Sequence, residues 1–278
     1  MKIIFLGGDL RQKYANDYLI NNGFDSKLYL NFDVMKIENE IRDAKIIALP
    51  IPISNDSIHL NMNENSILID DIIEMTKLNS VIVGGKLTNK IMDKYAKNRI
   101  LIDYMDIEPF QIQNALLSAE GAIYYAKEKI EKSIYGSNIA ILGCGRIGKI
   151  LAYLLRSQGA IVTVMARCDV NLAWSKLIGL NTLKISAPNK LITKKYDIIF
   201  NTIPHRVMDE EFINALDENT LIIDLASFPY GIDDRFAKEY NLKYYRELGI
   251  PGRYAPVSAG EIIAKTIITN ILTREDII

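Results

Sequence analysis

The sequence predicts an α/β protein made of two doubly wound parallel-sheet domains. Three observations carry that prediction. Short β-branched runs alternate with helical apolar patterns along nearly the whole chain, as parallel strands joined by crossover helices do. The stretch Ser137–Arg167 holds strand, glycine turn, helix, glycine and strand within about thirty residues. The chain has 278 residues, enough for two domains of ordinary size.

In chain order, Lys2–Leu6 reads as a strand, followed by Gly7-Gly8-Asp9-Leu10-Arg11-Gln12. A helix carrying Tyr14, Tyr18 and Leu19 then runs to a stop at Asn22-Gly23. Phe24–Leu30 is a second strand, Val34–Ala44 a helix, and Lys45–Leu49 a third strand closed by Pro50-Ile51-Pro52. Asn55–Asn65 is polar and reads as a loop or short hairpin. Ile67–Ile69, Val81–Val83 and Ile100–Ile102 are further strand-like runs, separated by helical patterns at Asp71–Leu78 and Thr88–Asn98. Glu108–Ile130 is a long helix with Ile112, Ala115, Leu116, Ala119, Ile123, Ala126 and Ile130 in one apolar stripe. Within it Ser118-Ala119-Glu120-Gly121 departs from the simple pattern. Gly121 lets a backbone or ligand come close, and Glu120 is either a solvated charge or a cleft carboxylate.

The most informative stretch is Ile139–Leu142 followed by Gly143-Cys144-Gly145-Arg146-Ile147-Gly148. A buried strand, G-x-G-x-x-G and an amphipathic helix bearing Ile147, Ile150, Leu151, Leu154 and Leu155 make a dinucleotide-binding Rossmann unit. Gly143 makes the tight turn, Gly145 lets a pyrophosphate approach the backbone, and Gly148 lets the helix pack on the strand. The amides of Arg146, Ile147 and Gly148 then face the phosphates at the positive end of the helix. Gly159 caps that helix, and Ala160–Val164 forms the next strand. An acidic residue at the end of this strand would select NAD. The chain instead has Ala166-Arg167, a small residue and a guanidinium suited to the 2′-phosphate of NADP. Asp169 is expected to cap the following helix.

Three more strands follow: Asp197–Phe200, ending in Asn201-Thr202-Ile203-Pro204; Leu221–Asp224, ending in Leu225-Ala226-Ser227; and Leu242–Tyr245, leading into Leu248–Pro256. Ligands of open α/β sheets bind beyond the carboxyl ends of the strands, so Asn201, Thr202, Pro204 and Ala226 are expected around the nicotinamide. Ser258-Ala-Gly-Glu261 has the form of a capping box opening a final helix. The expected domains are residues 1–110, joined by the C-terminal helix 258–278; an interdomain helix 111–131; and an NADP-binding domain 132–257.

Composition narrows the classes. Hydrophobic residues make up 49% of the chain and the net charge is −1, a packed globular protein without a nucleic-acid-binding field. No apolar run has the length of a membrane span, and the N-terminal apolar segment is too short for a signal peptide. The two cysteines, Cys144 and Cys168, have no disulfide or metal spacing, and His59 and His205 make no metal set. A reducing cytoplasm is the expected compartment.

Taken together, several stretches resemble the family of dipicolinate synthase A subunits. They are Gly7-Gly8-Asp9 with Arg11-Gln12, Asn114-Ala115 with Ala119-Glu120-Gly121-Ala122, Gly143 to Gly148, Asn201 to Pro204, Ile223 to Ser227, and Leu248 to Pro256 followed by Ala259-Gly260. The resemblance implies NADP-dependent oxidation of dihydrodipicolinate to dipicolinate (pyridine-2,6-dicarboxylate), together with the companion B subunit of dipicolinate synthase, in the mother cell of a sporulating bacterium. A homo-oligomer is also possible. Two departures stand out: Pro229-Tyr230-Gly231 where the family tends to have Pro-Gly-Gly, and Arg253 where it often has Lys. A dicarboxylate substrate calls for cationic clamps. Gly7, Gly8, Asp9, Arg11 and Arg253 are the expected substrate contacts, the two arginines facing it from opposite sheets. Glu120 or a water is the candidate proton acceptor. No triad, conventional His–Asp pair or metal cluster is evident. Two other readings fit part of the pattern: a two-domain D-2-hydroxy-acid-type dehydrogenase, and a non-catalytic subunit that binds dinucleotide and docks a catalytic partner.

Overall fold

The computed structural model describes residues 1–62, 66–185 and 195–273. It divides into two compact units, Met1–Asn114 with Pro251–Ile278, and Ala115–Ile250.

The first unit holds strands β1 (Lys2–Leu6), β2 (Asp25–Tyr29), β3 (Ile46–Ala48), β4 (Val81–Gly84) and β5 (Ile100–Asp103). They pair in parallel in the order β2-β1-β3-β4-β5. Helices α1 (Leu10–Asn21), α2 (Val34–Asp43), α3 (Ile69–Met75) and α4 (Asn89–Tyr95) connect them. Apolar runs make the inner strands β1, β3 and β4 because both faces of the sheet are covered there, whereas edge strand β2 is half polar. Successive side chains alternate between faces. Ile3 and Phe5 pack with Ala15 and Leu19 of α1 and with Ile263, Ala264 and Ile267 near the C-terminus. Ile4 and Leu6 pack on the other face with Ile37, Ile41, Ile72 and Ile91. Ile67–Ile69, expected as a strand, forms only one antiparallel bridge, Leu68 to His59. Ile69 instead opens α3, with Asp70 and Asp71 in its first turn, where carboxylates favour a helix start.

Helix α5 (Glu108–Lys129) begins in the first unit and continues into the second. Its buried face is Ala115, Ala119, Ala122, Ile123 and Ala126, whereas Ile112 and Leu116 of the expected stripe are exposed.

The second unit contains β6 (Asn138–Leu142), α6 (Arg146–Ser157), β7 (Ile161–Ala166), α7 (Asp169–Leu177), β8 (Asn181–Lys184) and β9 (Ile198–Asn201). It continues with α8 (Glu210–Asn214), β10 (Leu221–Asp224), α9 (Asp234–Glu239) and β11 (Lys243–Arg246). Its strands are all parallel, in the order β11-β10-β9-β6-β7-β8. Counted from β6, this is the 3-2-1-4-5-6 order of dinucleotide-binding sheets. Strand β8 is not legible in the sequence, because Asn-Thr-Leu-Lys is a short, half-polar edge strand with no apolar run.

After β11, the stretch Leu248–Pro256, for which the sequence predicts no element, contains the short helix α10 (Ile250–Tyr254), and the expected final helix forms as α11 (Pro256–Thr266), its last turn, Ile267–Ile271, π-wound. The helix therefore starts before the expected capping box. Ala255 is the N-cap without a side-chain bond, and Pro256 occupies the first turn, which suits its missing N–H. Ser258 and Glu261 lie inside the helix, where Glu261 pairs with Lys265 at 3.1 Å. Helix α11 crosses α1 at Gly260, whose absent β-carbon would fall 2.6 Å from Tyr14 Cβ and 2.7 Å from both Ala15 N and Arg11 O. No helix of the described residues is long and apolar enough to cross a membrane.

Because two of those three neighbours are backbone atoms, Gly260→Ala should lower stability by about 1–3 kcal/mol through forced separation of α1 and α11. Urea unfolding monitored by circular dichroism checks this, and an unchanged midpoint would contradict the tight crossing.

Candidate functional site

At the end of β6 the chain turns through Gly143 with φ +106°, a conformation that favours glycine. A β-carbon at Gly143 would lie 2.3 Å from Thr202 Oγ1, and one at Gly148 would lie 2.3 Å from the Gly143 carbonyl oxygen. Both glycines are therefore demanded by the protein's own packing. Gly145, the N-cap of α6, differs: a β-carbon there would meet nothing within 4 Å. The space beside Gly145 is open, as approach of a pyrophosphate requires. Arg146, Ile147 and Gly148 follow as the first turn of a twelve-residue helix, whose leading amides point away from the helix body. Thr202 closes the other side of the turn. Its N–H and hydroxyl donate to the Leu142 carbonyl at 2.8 and 2.9 Å, tying the end of β9 to the end of β6. These two strands flank the point where the strand order reverses, the usual ligand position in such sheets. The residues present thus fit a dinucleotide.

Strand β7 ends at buried Ala166, and exposed Arg167 follows it. Cys168, rather than Asp169, is the N-cap of α7. Asp169 is the first helical residue, one position past the cap, and its carboxylate accepts from Lys184 Nζ at 2.6 Å. Both cysteines are free thiols, Cys144 buried and Cys168 exposed.

Asn201 is fully buried. Its amide Nδ2 donates to Asp224 Oδ1 at 2.8 Å and to the Ile203 carbonyl at 3.1 Å, and its Oδ1 accepts from Ile203 N–H at 3.1 Å. Asn201 therefore shapes the Thr202–Pro204 turn from beneath and does not present its amide at the surface of the site. Pro204 is exposed and Ala226 is buried. The residue that organises these loops is Asp224, to which the sequence alone gives no role. It is fully buried and accepts from Asn201 Nδ2, from Ala226 N–H at 3.1 Å, from Gly231 N–H at 2.7 Å and from the Tyr244 hydroxyl at 2.9 Å. Four donors, from the end of β9, the segment after β10 and the body of β11, satisfy one buried carboxylate. Burial, followed by the negative charge of Asp224, raises the pKa of the Tyr244 phenol, which stays a donor.

Tyr230 sits in this loop with φ +65°, a backbone conformation that favours glycine. Here the tyrosine ring is covered by the Arg246 guanidinium, 3.6 Å from its centroid, and meets Phe228 edge-on at 5.7 Å. These contacts offset a strained backbone that costs about 1–2 kcal/mol.

In the first unit, Gly7 and Gly8 both have positive φ. Their N–H groups donate to Tyr29 O and Asn61 O, each at 2.8 Å, so they are not the carboxylate donors expected there. Asp9 caps α1 through the Arg11 N–H at 2.9 Å. The Arg11 side chain folds back onto Asp9, with Nε at 2.9 Å and Nη2 at 2.7 Å, and Nη2 also donates to Ile51 O at 2.5 Å. Burial works to raise the Asp9 pKa, but the hydrogen bonds and charge of Arg11 outweigh it and hold the carboxyl below its ordinary value. Arg11 is buried, with 9% of its surface exposed, and helix α10 lies against the pair: a β-carbon at Gly252 would fall 2.9 Å from Arg11 Nε. Exposed Arg253 follows it and groups with the first unit, not with the second as its place after the last strand suggests. Glu120 is exposed on α5. His59 Nδ1 does pair with Asp56 Oδ2 at 2.6 Å, in an exposed loop three residues apart. The bond to His59, with backbone N–H groups of His59 and Ile58, lowers the Asp56 pKa strongly. The described residues hold no group of three or more His, Cys, Asp or Glu suited to a metal.

Comparison with known proteins agrees with this construction. Residues 2–105 match the family model for the N-terminal domain of the A subunit of dipicolinate synthase. The chain is 30% identical over 288 residues to the dipicolinate synthase A subunit of Bacillus subtilis, an alignment covering 96% of this chain and 94% of the relative. Crystal structures of the dipicolinate synthase A subunit from Bacillus halodurans (29% identity, TM-score 0.84, 96% of each chain) and of its counterpart from Bacillus subtilis (28%, TM-score 0.83, 96% of this chain and 94% of that one) are similar throughout. D-2-hydroxyisocaproate dehydrogenase, at 12% identity, TM-score 0.59 and 97% of each chain, shares the fold. On this identity and coverage, the chain belongs to the family of dipicolinate synthase A subunits.

Proposed function

We propose that the chain oxidises dihydrodipicolinate to dipicolinate with NADP, acting with a second subunit, in the cytoplasm of the mother cell during sporulation. The observation that carries this reading is the open space at Gly145, flanked by two glycines that the fold itself requires, at the switch point of a 3-2-1-4-5-6 sheet. Family membership supplies the dicarboxylate chemistry.

When bound, the nicotinamide accepts a hydride. The protein's part is to bind, orient and remove a proton. The amides of Arg146, Ile147 and Gly148 hold the pyrophosphate, and Arg167 beside Ala166 holds the 2′-phosphate. Thr202, Pro204 and Ala226 line the nicotinamide end, with Asn201 and Asp224 fixing their loops. Arg253 meets a substrate carboxylate. Gly7, Gly8, Asp9 and Arg11 form the turn behind it, held rigid by the Asp9–Arg11 pair, whose charges offset each other. Glu120 or a water takes the proton lost as the ring becomes aromatic.

The direct test is an assay of NADPH formation on adding dihydrodipicolinate to the purified chain, alone and with the second subunit. Turnover by the chain or the pair supports the reading, and none in either case refutes it. Three variants probe its parts. Gly145→Val should abolish dinucleotide binding while leaving the circular dichroism spectrum intact, since its side chain enters open space. A variant that still binds would make the turn purely structural. Arg167→Ala should weaken NADP about tenfold and NAD hardly at all; calorimetric titration decides, and equal wild-type affinities sink the NADP assignment. Arg253→Ala should raise KM for the dihydropyridine with NADP affinity unchanged, and loss of NADP affinity would move Arg253 to the nucleotide.

A further inference from the structure

Beside the end of β7 the structure brings together three charges that the glycine motif does not account for. Lys184 closes the edge strand β8 directly opposite Ala166 in the parallel register, and Ile185 N–H donates to the Ala166 carbonyl at 3.0 Å. Lys184 therefore stands at the same level of the sheet as the residue that precedes Arg167. Two residues beyond Arg167, Asp169 opens α7, and its carboxylate meets Lys184 Nζ at 2.6 Å with both side chains solvent-facing.

A carboxylate so near the ribose end of a dinucleotide has a definite preference. It accepts from a 2′-hydroxyl and repels a 2′-phosphate. Left alone, Asp169 would oppose the cation two residues before it. We infer that Lys184 is a specificity-determining residue, which sets the preference for a 2′-phosphorylated dinucleotide by neutralising Asp169. The inference rests on the NADP reading of Ala166-Arg167 and adds to it. Arg167 supplies the attraction, and Lys184 removes the repulsion that would cancel it. Because the pair is exposed, its influence is screened by salt and is largest at low ionic strength.

The test is calorimetric titration of NADP and NAD into the full chain at low salt, for wild type, Lys184→Met, Asp169→Asn and the double variant. Lys184→Met keeps the apolar stem and should weaken NADP about tenfold, with NAD unchanged or tighter. Asp169→Asn should leave NADP binding at least as tight as wild type. The double variant should return NADP to within about twofold of wild type, because no carboxylate then remains to be neutralised. Lys184→Arg should keep the wild-type preference. An unaltered NADP-to-NAD ratio in Lys184→Met overturns the inference. So does a double variant as weak as Lys184→Met, since Lys184 would then be contacting the phosphate itself. Failure of the underlying reading looks different: wild type shows no preference for NADP, and Arg167→Ala is silent.

Discussion

A side chain at position 148 would place its β-carbon 2.3 Å from the carbonyl oxygen of Gly143, and the site depends on none being there. The absence lets α6 approach the end of β6 more closely than any other residue type would permit. It fixes where the leading amides of that helix point, while the equally bare Gly143 leaves Thr202 room to bond the Leu142 carbonyl. The switch point between β6 and β9 is thereby closed on the protein side and open at Gly145. One close contact thus links the strand order, the helix direction and the place where a dinucleotide can enter.

A second constraint lies behind the loops. Burying an unpaired carboxylate costs several kcal/mol, so Asp224 is tolerable only with its donors in place. Those donors come from Asn201, Ala226, Gly231 and Tyr244, which follow or lie on three adjacent strands. Losing any of them leaves a buried charge undersatisfied, and that couples the loops to one another. Gly231 shows how little slack remains, since a β-carbon there would sit 2.3 Å from Asn201 Nδ2. The tyrosine at position 230, held at positive φ under the Arg246 guanidinium, is accommodated without disturbing this arrangement.

Much of the fold is legible in the sequence because burial on both faces of a parallel sheet leaves an unmistakable trace. Ile3 to Leu6, Ile139 to Leu142 and Leu221 to Ile223 are apolar throughout, and each is a central or near-central strand. Strand β8 escapes because an edge strand need not be apolar. The glycine turn is legible because its spacing encodes geometry. Roles that depend on partners are not. Asn201 looks like a ligand contact until its bonds to Asp224 and Ile203 are seen. Gly7 and Gly8 look like anion donors until Tyr29 and Asn61 take their hydrogens. Asp224 sits in plain view at a strand end, yet no spacing rule distinguishes it from a solvated aspartate. Arg253 follows the last strand of one sheet in sequence but groups with the other in space, because α10 and α11 carry the chain back onto α1.

A crystal structure of the chain grown with NADP decides whether the turn from Gly143 to Gly148 holds the dinucleotide as proposed. The expected density has pyrophosphate oxygens against the leading amides of α6 beside Gly145, with the 2′-phosphate at Arg167. A nucleotide bound elsewhere, with the space at Gly145 filled by solvent alone, would contradict it.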